Sequence, residues 1–137
     1  MSRRRLTTRL ALWLPPLVYM AVIFGFSSQS NPVPEVTSRV WDKLLHGVEY
    51  AALALLFCRA LTGEGLAWTM AALAAVLLTS AYGAGDEYHQ LFVPLRDGNA
   101  RDWIADTVGA ALGAAVHCVS NLELRSGNSE GQRQRQE

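Results

Sequence analysis

The sequence predicts an all-α fold: an integral membrane four-helix bundle with both termini on the cytoplasmic side. Three observations lead there. Leu10–Phe26 contains no charge in 17 residues and Leu66–Gly85 none in 20, while Leu44–Leu61 and Trp103–Val119 hold their few ionisable groups toward their ends. Crossing about 30 Å of hydrocarbon takes about 20 apolar residues in a helix. Charged residues make up only 18% of the chain, below the roughly 25% of soluble domains. With both termini on one side, that side holds eight of the twelve Lys and Arg residues, the excess that marks a cytoplasmic face.

Each element follows from its residues. Residues 1–9 read as a basic cytoplasmic tail carrying Arg3, Arg4, Arg5 and Arg9. A secretory signal would also begin this way, but the apolar run is longer than a signal core and three further spanning segments follow it. Helix 1 is therefore read as retained over Leu10–Phe26. Pro15-Pro16 inside it removes backbone donors, which membrane helices tolerate when neighbours satisfy the freed carbonyls. Ser27 to Glu35 reads as a loop because Pro32 and Pro34 forbid a regular helix there. Residues 36–43 suit a short interfacial turn. Helix 2 is expected over Leu44–Leu61, and Thr62-Gly-Glu-Gly65 is a tight antiparallel connection. Helix 3 is expected over Leu66–Gly85, residues 86–102 as the longest polar connection, and helix 4 over Trp103–Ser120. The domain thus spans residues 10–120. Residues 121–137 read as a polar, disordered tail.

The formal net charge is zero, so nothing in bulk composition points to nucleic acid. Cys58 and Cys118 lie far apart with no CxxC or zinc-ligand spacing. They read as free thiols. No metal and no cofactor is assigned.

The topology makes a prediction about polar residues. The end of helix 1, the start of helix 2, the end of helix 3 and the start of helix 4 share the outer face. Asp42, Lys43, His46, Glu49, Tyr50, Asp86, Glu87, Gln90, Arg96, Asp102 and Asp106 all fall there. Ionisable groups in membrane segments are costly and mark function by default. Asp42, His46 and Glu49 or Tyr50 follow the spacing of one helical face, as do Tyr82 with Asp86, Asp86 with Gln90 and Asp102 with Asp106. Gly109 and Gly113 continue that last stripe as a GxxxG that permits close helix contact. Three polar stripes turned inward would make one pocket, with Lys43 and Arg96 offsetting part of its negative charge.

These motifs, in order, resemble the VanZ-like family of small membrane proteins. The series runs Trp13-x-Pro15, Tyr19, Ile23-Phe24 and Ser27-Ser-Gln-Ser30, then Asp42-Lys43-x-x-His46-x-x-x-Tyr50. It continues with Asp86-Glu87-x-x-Gln90-x-Phe92-x-Pro94-x-Arg96 and Asp102-x-x-x-Asp106-x-x-Gly109-x-x-x-Gly113. The resemblance covers roughly residues 10–117. Lys43, His46, Gln90, Arg96, Asp102 and Gly109 match the family motif positions best, whereas relatives commonly carry Asn where this chain has Asp106. It implies a multi-pass protein of the bacterial inner membrane and, through the founding member, a link to resistance against the glycopeptide teicoplanin.

Three readings of the cluster stand side by side. A binding module would recognise a lipid-linked cell-wall precursor or a glycopeptide, with Arg96 gripping a phosphate or carboxylate and the acids and Gln90 bonding sugars or amides. An intramembrane enzyme would use His46 or Glu49 as base with Asp86 or Asp102 as partner, and its metal variant would take His46, Glu49, Asp86 and His89 as ligands. A structural network would lock residues 86–102 onto the helix ends through Lys43, Arg96 and the acids.

Overall fold

The computed structural model describes residues 3–30, 39–96 and 98–134, with the side chains of all of these except 3–5, 39–42, 125 and 127–134. Within them the chain forms four helices: α1 Arg3–Ser27, α2 Arg39–Gly63, α3 Trp68–Gln90 and α4 Ala100–Gln134. Each contains a stretch long and apolar enough to cross a membrane. The outward faces carry Leu17, Leu77 and Leu112, each more than half exposed, as a lipid-facing surface requires. The chain is a multi-pass membrane protein.

Every helix is longer than its apolar run. The basic segment expected as a tail is helical from Arg3, and α4 continues past Ser120 to Gln134. Glu, Leu, Arg and Gln after Asn121 are good helix formers, and no proline interrupts them. The interfacial turn expected over 36–43 falls partly on undescribed residues, while residues 39–43 already belong to α2. At the far end of α2, Leu66 N–H donates to Leu61 O (3.1 Å) and Gly65 N–H to Thr62 O (3.0 Å), with Gly65 at φ 99°. That is a Schellman cap, in which the left-handed position falls to glycine.

The largest shift is in α3, which runs to Gln90 where a polar connection from residue 86 was expected. Helical backbone persists there because Asp86, Glu87 and Gln90 are buried, and Asp86 and Gln90 bond to neighbouring helices. Pro94 then disfavours helical backbone at Val93. Phe92 N–H and Val93 N–H close turns onto His89 O and Gln90 O (3.0 and 3.1 Å). Asn99 starts α4: its side-chain oxygen accepts from Arg101 N–H (3.0 Å) and its carbonyl from Asp102 N–H (2.8 Å), the work of an N-cap.

Pro15 illustrates how the bundle repairs itself. A proline at position 15 leaves the carbonyl of Ala11, one turn earlier, without its helical donor. The Arg59 guanidinium of α2 donates to that carbonyl at 3.3 Å.

Packing is uneven. Helices α2, α3 and α4 contact one another, whereas α1 rests on α2 and lightly on α3, and among the described residues has no contact with α4. Tyr50, Leu53, Phe57 and Cys58 of α2 pack with Ile23 of α1, Ala72 and Ala75 of α3 and Ala114 of α4. Alanine on the facing surfaces lets the helix backbones approach.

Candidate functional site

The end of α1, the start of α2, the end of α3 and the start of α4 meet at one end of the bundle. Helices α2 and α4 run in the same direction and touch along their length, which sets a ladder of pairs. Lys43 forms an ion pair with Asp102. One turn on, His46 Nδ1 lies 3.0 Å from Asp106 Oδ1. Next comes direct backbone contact: a Cβ on Gly109 would collide with the carbonyl of Gly47, and one on Gly113 with that of Ala51. The GxxxG is thus what brings the helices close enough for the two polar pairs to form.

A second group gathers around Asp86. Its Oδ2 accepts from Ser27 Oγ of α1, from Gln90 Nε2 at 3.1 Å and from Tyr50 Oη at 3.4 Å. Gln90 Nε2 also donates to Ser27 Oγ at 2.9 Å. Ser27, Tyr50, Asp86 and Gln90 are all buried. The Arg96 guanidinium donates to the carbonyl of Phe26, the residue before Ser27, at 3.4 Å. Arg96 therefore closes the α1 side of the same group.

Glu87 completes the set from α3. Its Oε2 accepts from the Asn99 backbone N–H at 2.7 Å. One ring nitrogen of His46 and one carboxylate oxygen each of Glu87 and Asp106 lie within 4.8 Å of one another. The His46 ring is stacked parallel to Tyr50, with centroids 6.4 Å apart and planes 9° apart, and this fixes the imidazole's orientation. Gly83 makes room on α3, since a Cβ there would lie 3.1 Å from Asp106 Oδ2 and 3.0 Å from the Tyr50 ring.

Several buried atoms at this end lack a hydrogen-bond partner among the described residues: Asp86 Oδ1, Glu87 Oε1, Asp106 Oδ2 and Arg96 Nε. Buried polar atoms are ordinarily satisfied. A group of four that are not, in one place, is a chemical signature.

A protein-family model described as VanZ/LLP1 matches residues 2–121. The chain belongs to the VanZ/LLP1 family. The matched region holds all of the polar end, from Ser27 through Asp106. Comparison with curated proteins and with solved structures gave no match.

For this VanZ/LLP1 chain, the structure places the anticipated residues as follows. Lys43, His46, Tyr50, Asp86, Gln90, Asp102 and Asp106 join through direct side-chain contacts, and Glu49 stands in the electrostatic reach of His46, Asp106, Asp86 and Arg96. Asp42 lies in the first turns of α2, and its side chain is outside the described ones. His46 is partnered by Asp106. Among the described residues, the group with metal-ligand spacing is His46, Glu87 and Asp106, where the metal variant takes His46, Glu49, Asp86 and His89. His89 instead sits with Ser28 (3.1 Å) and against the Phe24 ring (4.5 Å between centroids).

Sequence reasoning missed Ser27 as a direct partner of Asp86, Asn99 as the residue that fixes Glu87, and Gly83 as the gap that admits Asp106. Asn99 had a signal, an Asn just before an apolar helical run. Gly83 had a weaker one, one helical turn before Glu87.

Proposed function

We propose that this VanZ/LLP1 protein lies in the bacterial cell membrane with the polar end outward and both termini inward. There it binds the polar part of an envelope molecule, a lipid-linked cell-wall precursor or a glycopeptide, and so contributes to teicoplanin-type resistance. The observation that carries this reading is the pair Asp86 Oδ1 and Arg96 Nε: an acceptor and a donor, both shut off from solvent and both unsatisfied. Leaving such an atom unpaired costs about 1–3 kcal/mol, which folding alone gives no reason to bear. A ligand offering a hydroxyl or amide N–H to Asp86 and a phosphate or carboxylate oxygen to Arg96 would satisfy both. Wall precursors and glycopeptides carry both kinds of group. The outward placement is supported by the eight-to-four distribution of Lys and Arg.

The test uses the purified protein in nanodiscs. Its melting temperature is measured with a lipid-linked peptidoglycan precursor, with teicoplanin and with vancomycin, for the native chain and for Arg96→Ala. In parallel, susceptibility to the two antibiotics is compared in cells with and without the protein. Stabilisation by at least one of these compounds that Arg96→Ala abolishes is the expected result. No shift with any of them, together with unchanged teicoplanin susceptibility, sinks the reading.

A further inference from the structure

We propose that His46, Glu87 and Asp106 form a binding site for a divalent transition-metal ion, of the zinc or manganese class, at the junction of α2, α3 and α4. The three residues contribute one nitrogen and two oxygens within 4.8 Å of one another. Two atoms bound to one zinc ion at about 2.0–2.2 Å are separated by at most about 4.4 Å, so small side-chain rotations close the set. One imidazole with two carboxylates suits zinc or manganese better than magnesium, which prefers oxygen alone.

Proximity among acids is not by itself a site. The independent observation is the unsatisfied oxygen on each carboxylate. Glu87 and Asp106 are only 7% and 0% exposed, yet Glu87 Oε1 and Asp106 Oδ2 have no hydrogen-bond donor. Of the nearby bases, His46 pairs with Asp106 and carries a charge only when protonated. Lys43 is engaged by Asp102, and Arg96 is turned to the α1 side, on the Phe26 carbonyl. A buried carboxylate is costly unless its charge is paired or neutralised, and one histidine beside two such acids leaves room for a dication to do so.

The surroundings are those of a prepared ligand set. Asn99 N–H holds the other oxygen of Glu87 at 2.7 Å. The Tyr50 ring lies parallel to His46. Such outer contacts orient metal ligands and are part of the site. With three protein ligands, such an ion would keep at least one coordination position for water or another ligand. The cation site uses different unsatisfied atoms from those that carry the envelope-ligand reading, so either proposal can fail while the other stands.

The experiment takes the full chain in nanodiscs, stripped with EDTA and re-dialysed against zinc, manganese, magnesium or calcium. Metal per chain is measured by elemental analysis, and the melting temperature is followed with each ion. The expected result is one zinc or manganese ion per chain and a melting temperature higher by about 5 °C or more. Glu87→Gln and Asp106→Asn are expected to lose both, while Asp86→Asn and Arg96→Ala keep them. Glu87→Gln is the decisive variant, because its amide keeps the Asn99 contact and the helical fold, checked by circular dichroism. Native protein that takes up no ion and melts alike in all of them overturns the proposal. So does a Glu87→Gln variant that binds metal as the native chain does.

Discussion

The two ends of this bundle hold the same kinds of residue and use them in opposite ways. At the end near the α2–α3 connection, Glu64 accepts from Arg9 at 2.9 Å on one oxygen and from Trp13 Nε1 at 3.1 Å on the other. Arg9 there is 57% exposed. Nearby, Thr62 Oγ1 meets His117 Nε2 at 3.2 Å, and Asn121 donates to the His117 carbonyl at 2.8 Å. That network lies nearer the surface, and among the described residues none of its buried side-chain atoms lacks a partner. At the opposite end, Asp86, Glu87 and Asp106 are buried, and each keeps one oxygen unsatisfied. Acids that close a helix end find their partners within the chain. The buried acids of the polar end each keep an oxygen that finds no donor among the described residues.

The sharpest way to break this contrast is to move α4 away from α2. Gly109→Val places side-chain carbons against the Gly47 carbonyl, and backbone cannot yield there as a flexible side chain would. A loss of about 3 kcal/mol or more in unfolding free energy is expected, read by denaturant titration in mixed micelles. Gly25→Ala serves as the control, because a Cβ there meets nothing within 4 Å. It should stay within about 0.5 kcal/mol of the native chain. Equal effects at the two positions would show that the α2–α4 contact does not organise the polar end.

That contact also marks where sequence reasoning stops. The spanning segments were legible because apolar length alone sets them, and the spacing of His46, Tyr50, Asp102 and Asp106 showed which residues share a face. Periodicity does not say which helix that face meets. α2 and α4 are not consecutive and run in the same direction, so no short loop announces their pairing. The end of α3 was hidden for a related reason. Asp86, Glu87 and Gln90 read as loop residues until the neighbours that accept them are known. Asp86 and Glu87 also point about 100° apart around the helix. One therefore joins Ser27 and Tyr50, and the other Asn99 and the α4 side.

A smaller effect separates paired from unpaired charge within the polar end. Lys43→Met leaves Asp102 without its cation and should cost about 1–2 kcal/mol, between the ranges for exposed and buried pairs, because Lys43 is itself 39% exposed. Adding Asp102→Asn should recover most of the loss. If the double variant is as unstable as the single one, the pair is not what holds the start of α4 to α2.

Asp86→Asn sharpens the contrast by separating stability from binding. The amide oxygen can keep accepting from Ser27 and Gln90, while its NH2 takes the place of the unsatisfied Oδ1. Stability should therefore stay within about 0.5 kcal/mol or rise slightly, whereas stabilisation by the precursor or by teicoplanin should disappear. A variant that loses several kcal/mol and keeps the ligand response would assign Asp86 to the fold.

The smallest effect belongs to the other end. Arg9→Ala removes an ion pair whose basic partner is mostly in solvent, and exposed pairs contribute about 0–1 kcal/mol. Glu64 keeps its Trp13 donor in the variant, so the expected loss is below about 0.5 kcal/mol and shrinks as salt is added, the mark of a screened interaction. Unfolding curves at low and high ionic strength read it directly. A loss as large as that of Lys43→Met would mean that the rim acid is as demanding as the buried ones, and the distinction between a closed end and a receptive one would have to be drawn on burial of Asp86, Glu87 and Asp106 alone.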